Sequence, residues 1–178
     1  MHIRLLVRGA LTGLVLGANL LVLHAGAFAQ SVMSERDFAR FAARASQAEI
    51  HEAQIALAKT KNDNVMRYAK MMIDDHTASI ADLGKIAVAA NVPLPKILSP
   101  EEAREATQLQ SLAGAAFDKQ YMTDQVSSHF KAVAFTEAEV QSGSNATLKT
   151  FAAQYLAAEQ RHLRMAQAIV SQPDRYLK

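Results

Sequence analysis

The sequence predicts an all-α protein, a bundle of four long helices in one domain. Three observations carry this expectation. Four stretches, each of about 25 residues, place apolar side chains at three- and four-residue steps, the repeat of one helix face. No stretch alternates apolar and polar residues as a half-buried strand would. Only 7 Gly and 4 Pro occur among 178 residues, too few for a β-rich or loop-rich chain of this length.

The first helix is expected over 35–61. Ser34, with Asp37 three residues on, resembles an N-cap. Asn62-Asp63-Asn64 then forms a tight polar turn. The second helix is expected over 65–90, with Val65, Tyr68, Met72, His76, Ser79, Leu83 and Ile86 along one face. Asn91, Pro93 and Pro95 end it, because proline cannot continue a helix interior. Ser99-Pro100-Glu101-Glu102 reads as a capping box with proline at the first helical position, opening a short helix that ends near Leu112. Gly114 interrupts. The third long helix is expected over 115–141 and is followed by the turn Ser142-Gly143-Ser144-Asn145. The fourth, over 146–171, carries Leu148, Phe151, Tyr155, Glu159, His162, Ala166 and Ile169 on one face, and Pro173 closes it.

A weak internal repeat marks the two hairpins. Asn62-x-x-Val65-x-x-Tyr68-Ala69 aligns with Asn145-x-x-Leu148-x-x-Phe151-Ala152. Two α-hairpins joined by a long connection make a four-helix bundle with one crossover, the ferritin-like arrangement. The connection reaches: about 12 helical residues at ~1.5 Å and about 10 extended ones at ~3.3 Å can run back along a helix of ~39 Å.

The first 29 residues read as an address rather than as fold. Arg4 and Arg8 precede an apolar run from Ala10 to Leu23, and Ala27-Phe28-Ala29 resembles a signal-peptidase site. The expected organisation is a signal peptide over 1–29 and a single domain over 30–178. Removing the address removes Arg4 and Arg8, which leaves 17 Lys and Arg against 17 Asp and Glu. The net charge of +2 thus belongs to the address, and no basic stripe remains to argue for nucleic-acid binding. No membrane span is expected once the signal is removed, and the protein is expected in the periplasm or cell envelope, with secretion or outer-membrane association as variants. With no Cys, disulfides, thiolate zinc sites and an N-terminal lipid anchor are excluded.

Ionisable residues stand on the apolar faces. His76 lies mid-stripe on the second helix with Asp75 beside it, while Asp74 points away. Glu159 and His162 form a Glu-x-x-His pair on the fourth. Glu49 and Glu52 follow Phe38, Phe41 and Ala45 on the first helix. His129 shares a face with Asp118, Gln125 and Ala132 on the third, whereas His51 falls off its stripe and is expected in solvent. Residues facing each other in an antiparallel hairpin are equidistant from its turn. Glu49 and His76 are centred on 62.5, within the first turn; His129 and His162 are centred on 145.5, within the second. Glu49, Glu52, Asp75, His76, His129, Glu159 and His162 are therefore expected in one central layer. Uncompensated burial of so many charges is costly. Either a metal ion bound by imidazole and carboxylate, or mutual hydrogen bonding, would satisfy it.

A full di-metal carboxylate site would repeat Glu-x-x-His, but residue 73, three before His76, is Ile. Asp75, adjacent to His76, is expected to orient a ligand rather than to be one. Met72, Met122 and Met165 would suit copper but read as core filler, and Tyr68, Phe117, Tyr121, Phe135, Phe151 and Tyr155 read as core. No Gly-x-Ser-x-Gly elbow or phosphate-cradling loop occurs, and His51-Glu52 starts a His-Glu-x-x-His motif that Ile55 ends.

Several of these segments together resemble a known family. They are Glu49-Ile50-His51, Asn62-Asp63-Asn64-Val65 and Met72-Ile73-Asp74-Asp75-His76, then Gly114-x-x-Phe117-Asp118-x-x-Tyr121, His129, Phe151-Ala152 and His162-Leu163-x-x-Ala166. The family comprises secreted bacterial proteins labelled domain of unknown function, ferritin-like, or "predicted outer membrane protein". The resemblance implies a ferritin-like bundle outside the cytoplasm and supports Glu49, Asp75, His76, Asp118, Tyr121, His129 and His162; it implies no activity. The sequence departs from the pattern at Glu52 and Glu159, where the family usually has Leu, and at Ala157, where Pro is usual.

Two functions follow as expectations. One is an exported bundle that binds a transition metal (iron, zinc or copper) through Glu49, His76, His129, Glu159 and His162, with Glu52, Asp75, Asp118 and Tyr121 as outer or additional ligands. The other is a non-enzymatic envelope protein, with a structural, interaction or stress role, whose polar layer is an internal hydrogen-bond network.

Overall fold

The computed structural model describes residues 34–172; the signal-peptide reading of 1–29 lies outside them. Five helices occur in order: α1 (Glu35–Lys59), α2 (Asp63–Ala89), α3 (Pro100–Ser111), α4 (Gly114–Ser142) and α5 (Ala146–Ser171). No strand occurs among the described residues. No helix among them is long and apolar enough to cross a membrane.

Local chemistry sets the ends. Ser34 caps α1 by accepting from the Asp37 backbone N–H. Asn62 and Asn145 do the same for α2 and α5, which explains the repeat: each hairpin turn ends in an Asn cap. The residues that follow it in the repeat, Val65, Tyr68 and Ala69 in one copy and Leu148, Phe151 and Ala152 in the other, are all buried. α2 stops in a Schellman motif. Asn91 takes the left-handed conformation (φ 52°), and the Asn91 and Val92 amides return to the carbonyls of Val88 and Ala87. Ser99 and Glu102 form the reciprocal capping box of α3. Gly114, at φ 58°, turns the chain into α4 where a side chain would be strained.

α1 packs on α2 and α4, and α5 packs on α4 and α2. The end contacts fix the directions. The Glu35 carboxylate at the start of α1 accepts from the Ser144 amide at the end of α4 (2.8 Å). Lys59 at the end of α1 lies over the Phe117 ring at the start of α4. The crossover runs back along α1, tied by Arg40 to the Pro93 carbonyl (3.3 Å) and by Lys59 to the Gln110 carbonyl (2.6 Å). This is the expected pair of antiparallel hairpins with a helical crossover.

The core is two apolar clusters. One contains Phe38, Ala42, Leu83, Leu148, Phe151 and Tyr155; the other contains Ala53, Val65, Tyr68, Met72, Phe117, Tyr121, Met122 and Ala166. Glu49, Glu52, His76, His129, Glu159 and His162 fall between the two clusters along their helices, whereas the buried Asp118 and Glu139 of α4 do not.

Three expectations are corrected. The buried face of α1 runs through Phe38, Ala42, Ser46, Glu49 and Ala53, so Phe41 and Ala45 sit at its margin. Phe135 is partly exposed rather than core and rests against Phe41, ring centroids 4.6 Å apart. Met165 is also partly exposed, whereas Met72 and Met122 are buried.

Phe38 is fully buried and edge-on to Phe151, while Phe130 is 66% exposed. Phe38→Ala should therefore cost about 3–5 kcal/mol in urea unfolding, and Phe130→Ala within ~0.5 kcal/mol. Equal costs would contradict this assignment of the core.

Candidate metal centre

His76 on α2, His129 on α4, and Glu159 and His162 on α5 meet between the two apolar clusters, each 1% exposed or less. One donor atom from each lies within 4.8 Å of all the others. The imidazole centroids are 5.2–5.9 Å apart. Helical spacing explains the convergence. Glu159 and His162 are one turn apart on a single face, and His129 and His162 are equidistant from the second hairpin turn.

Each imidazole is held from outside by one ring nitrogen. His129 Nδ1 lies 2.8 Å from the Gln125 carbonyl, which can only accept, so Nδ1 carries the proton. His162 Nε2 lies 2.8 Å from Asp75 Oδ2, which also accepts from Arg161 at 2.7 Å. Burial pushes the Asp75 carboxyl up, but the His162 and Arg161 hydrogen bonds together outweigh it and hold it below its usual range. Asp75 is thus ionised, and His162 Nε2–H donates to it. His76 Nδ1 lies 3.2 Å from Ser46 Oγ. Ser46 Oγ in turn stands 3.4 Å from the Tyr155 hydroxyl.

The remaining nitrogens of His129 and His162 face inward. His129 Nε2 and His162 Nδ1 are 3.3 Å apart. With the outer nitrogens protonated, both inner ones present lone pairs, so no hydrogen bond joins them while the rings are neutral. Burial keeps them neutral: it depresses His162 to about 4 and lowers His129, and it drives His76 well below the usual imidazole range. His76 Nε2 and Glu159 Oε1 are buried with no hydrogen-bond partner. Glu159 Oε2 is 3.7 Å from His129 Nε2, and Oε1 is 3.9 Å from His76 Nδ1. Burial raises the Glu159 carboxyl to about 7.

The predicted residues separate into two groups. His76, His129, Glu159 and His162 come together; Glu159, read against the family's apolar preference, is fully buried. Asp75 orients His162, on the neighbouring helix, rather than its sequence neighbour His76. Glu49 does not join the four. It lies 3.8 Å from His129 Nδ1, the edge of the ring turned away from His162. Across the first hairpin the residue meeting His76 is Ser46, one turn earlier, because the α1 stripe is rotated from its expected line. Glu52 is buried and accepts from Gln125 Nε2 at 3.2 Å. Asp118 and Tyr121 are buried on α4 outside the four-residue group. His51 is partly buried and also outside it. Sequence reasoning missed Ser46 and Arg161. Ser46 had a usable signal, since it continues the 38–42 spacing toward Glu49. Arg161 had none, being an outward neighbour of His162.

Fold and site together define a helical bundle with a buried centre of three imidazoles and one carboxylate. Residues 22–169 match the family described as Domain of unknown function (DUF4142), and the chain belongs to it. Two crystal structures share its fold. A DUF305 fragment from Deinococcus radiodurans aligns with TM-score 0.69 at 16% identity, over 78% of this chain and 95% of that one. A DUF305 protein from Streptomyces coelicolor, proposed to be secreted, aligns with TM-score 0.67 at 16% identity, over 83% and 98%. No curated protein matches the chain.

The raised Glu159 carboxyl has a testable sign. Its folded value of about 7 lies above the ordinary glutamate value of 4.5, so between these pH values the folded state holds a proton that the unfolded state has lost. Glu159 therefore withdraws stability as pH rises through this window. Glu159→Gln mimics the neutral acid. In chelator-treated protein the variant should gain stability relative to wild type between about pH 5 and 8, read as urea midpoint against pH. A difference that stays flat across the window would contradict the buried placement.

Proposed function

We propose that this protein is an exported, ferritin-like bundle that holds one divalent transition-metal ion at His76, His129, Glu159 and His162. The observation that carries the reading is the pair of unprotonated nitrogens, His129 Nε2 and His162 Nδ1, facing each other at 3.3 Å in a buried centre. Two nitrogens bound at about 2.0–2.1 Å to one tetrahedral ion stand about 3.3–3.4 Å apart. The other donor pairs, all within 4.8 Å, need to close by about 1.5 Å at most, which side-chain rotation supplies. Outer hydrogen bonds to the Gln125 carbonyl and to Asp75 fix the tautomers of His129 and His162, as ligating histidines require, and Ser46 holds the His76 ring.

Three imidazoles and one carboxylate suit zinc, copper(II) and iron(II) better than calcium or magnesium. Four protein donors in a closed core resemble structural zinc sites and leave no open coordination position, so zinc is the first choice and binding, rather than catalysis, the role. Export is supported by the basic and apolar start of the chain with its Ala-x-Ala end, and by the likeness to a DUF305 protein proposed to be secreted. The formally balanced charge of residues 30–178 gives no basic stripe for nucleic acid.

Calorimetric titration of chelator-treated protein with zinc tests this. One ion per chain should bind, with a raised melting temperature. The His76→Ala, His129→Ala, His162→Ala triple variant should lose binding. Asp75→Asn, which removes the carboxylate that orients His162 and pairs with Arg161, should weaken it about 10–100-fold. A polar layer satisfied by its own hydrogen bonds would instead give a melting temperature indifferent to chelator and to added zinc, copper or iron.

A further inference from the structure

Of the three outer partners that hold the imidazoles, one reaches solvent. The Gln125 carbonyl behind His129 and the Ser46 hydroxyl behind His76 belong to fully buried residues. The Asp75 carboxylate behind His162 is 34% exposed, and the Arg161 side chain paired with it is 48% exposed. The apolar clusters close the bundle on either side of the centre along its axis. Two surface cavities, one between α2 and α5 and one beside α3 and α4, are lined by none of the four residues. The outer edge of His162 is therefore the side of the centre that faces water.

Arg161 covers that edge. Its Nη2 lies 2.7 Å from Asp75 Oδ2 and 3.4 Å from His162 Nε2. Both nitrogens donate, so Asp75 holds the two together and the guanidinium rests over the rim of the ring. The sequence accounts for the placement. Arg161 precedes His162 on α5 and Asp75 precedes His76 on α2, so each is turned about 100° from a buried imidazole, toward the surface. A cation approaching from this side meets a fixed positive charge first, and like charges repel. While the pair is closed, the His162 ring is also pinned between Asp75 and His129 and cannot turn its inner nitrogen outward. The pin opens readily. A half-exposed ion pair gains little net free energy, and exposed side chains change rotamer within nanoseconds. When Arg161 swings away, Asp75 presents a carboxylate at the surface and the ring is free to follow it.

We propose that Arg161 is a latch on the metal centre: paired with Asp75 across the outer edge of His162, it limits the rate at which the ion passes between the centre and solvent. Asp75, once released, is the first protein group the entering cation meets. The latch presupposes the metal centre at His76, His129, Glu159 and His162 and adds to it a route and a rate.

Stopped-flow zinc exchange and chemical labelling of the metal-free protein test this together. In Arg161→Gln, zinc uptake and zinc release to excess chelator should both accelerate by about fivefold. Lys70→Gln removes the same charge from the exposed Lys70–Asp74 pair on α2 and should exchange zinc at wild-type rates. Diethyl pyrocarbonate, which acylates unprotonated imidazole nitrogens, needs no metal. Mapped by mass spectrometry, His162 should react about fivefold faster in Arg161→Gln than in wild type, while His76 and His129 stay protected. The partly buried His51 should react equally in both proteins and so calibrates the reagent. Circular dichroism checks folding, and Arg161→Met carries the same comparison if Arg161→Gln does not fold. Faster uptake with unchanged release would mean long-range repulsion and would overturn the latch, as would faster release alone, which would make Arg161 a positioning residue. Zinc bound by wild type, with exchange and labelling both indifferent to Arg161, would overturn the latch and leave the metal centre standing. A wild type that binds no zinc would overturn both.

Discussion

The structure depends on how the bundle accommodates three imidazoles and a carboxylate at its buried centre. His129 and His162 direct lone pairs at each other across 3.3 Å because their other nitrogens are committed to the Gln125 carbonyl and to Asp75. Neutral rings cannot hydrogen-bond in that arrangement, and burial opposes charging either one. An apolar replacement of the same volume would avoid the cost altogether. The layer therefore makes physical sense as a place for a cation, whose charge supplies what the protein leaves out.

Everything around the centre serves to hold it. Apolar clusters above and below exclude water and keep the imidazoles neutral, so they are ready as ligands near neutral pH. The two hairpins set the height of each donor through Asn-capped turns at 62 and 145. The crossover ties the hairpins through polar contacts along α1. Asp75 shows how closely fold and site are linked. It projects to one side of His76 and reaches across to α5, where it orients His162 and is itself held ionised by Arg161.

Much of this was legible in the sequence. Helix caps, the proline-ended second helix and the Asn repeat located all five helices to within two residues or so. Hairpin symmetry brought His129 to His162 correctly, because both lie on well-marked stripes. It failed for Glu49 and His76. The alanine-rich α1 offers apolar residues on more than one side, so its buried direction was misread by a fraction of a turn and Ser46 took the expected place. The same ambiguity hid the division of the polar residues into a nitrogen-rich group and an oxygen-rich group on opposite edges of His129. Which nitrogen of each ring faces inward depends on partners from other helices, and helical spacing carries no information about them.

X-ray absorption at the zinc edge of the zinc-loaded protein tests the central claim most directly, because it reads the donors around the ion itself. The account predicts about four nitrogen and oxygen neighbours at ~2.0–2.1 Å, with the outer-shell scattering of three imidazoles. A six-coordinate shell of oxygen without imidazole scattering would place the ion elsewhere and contradict it.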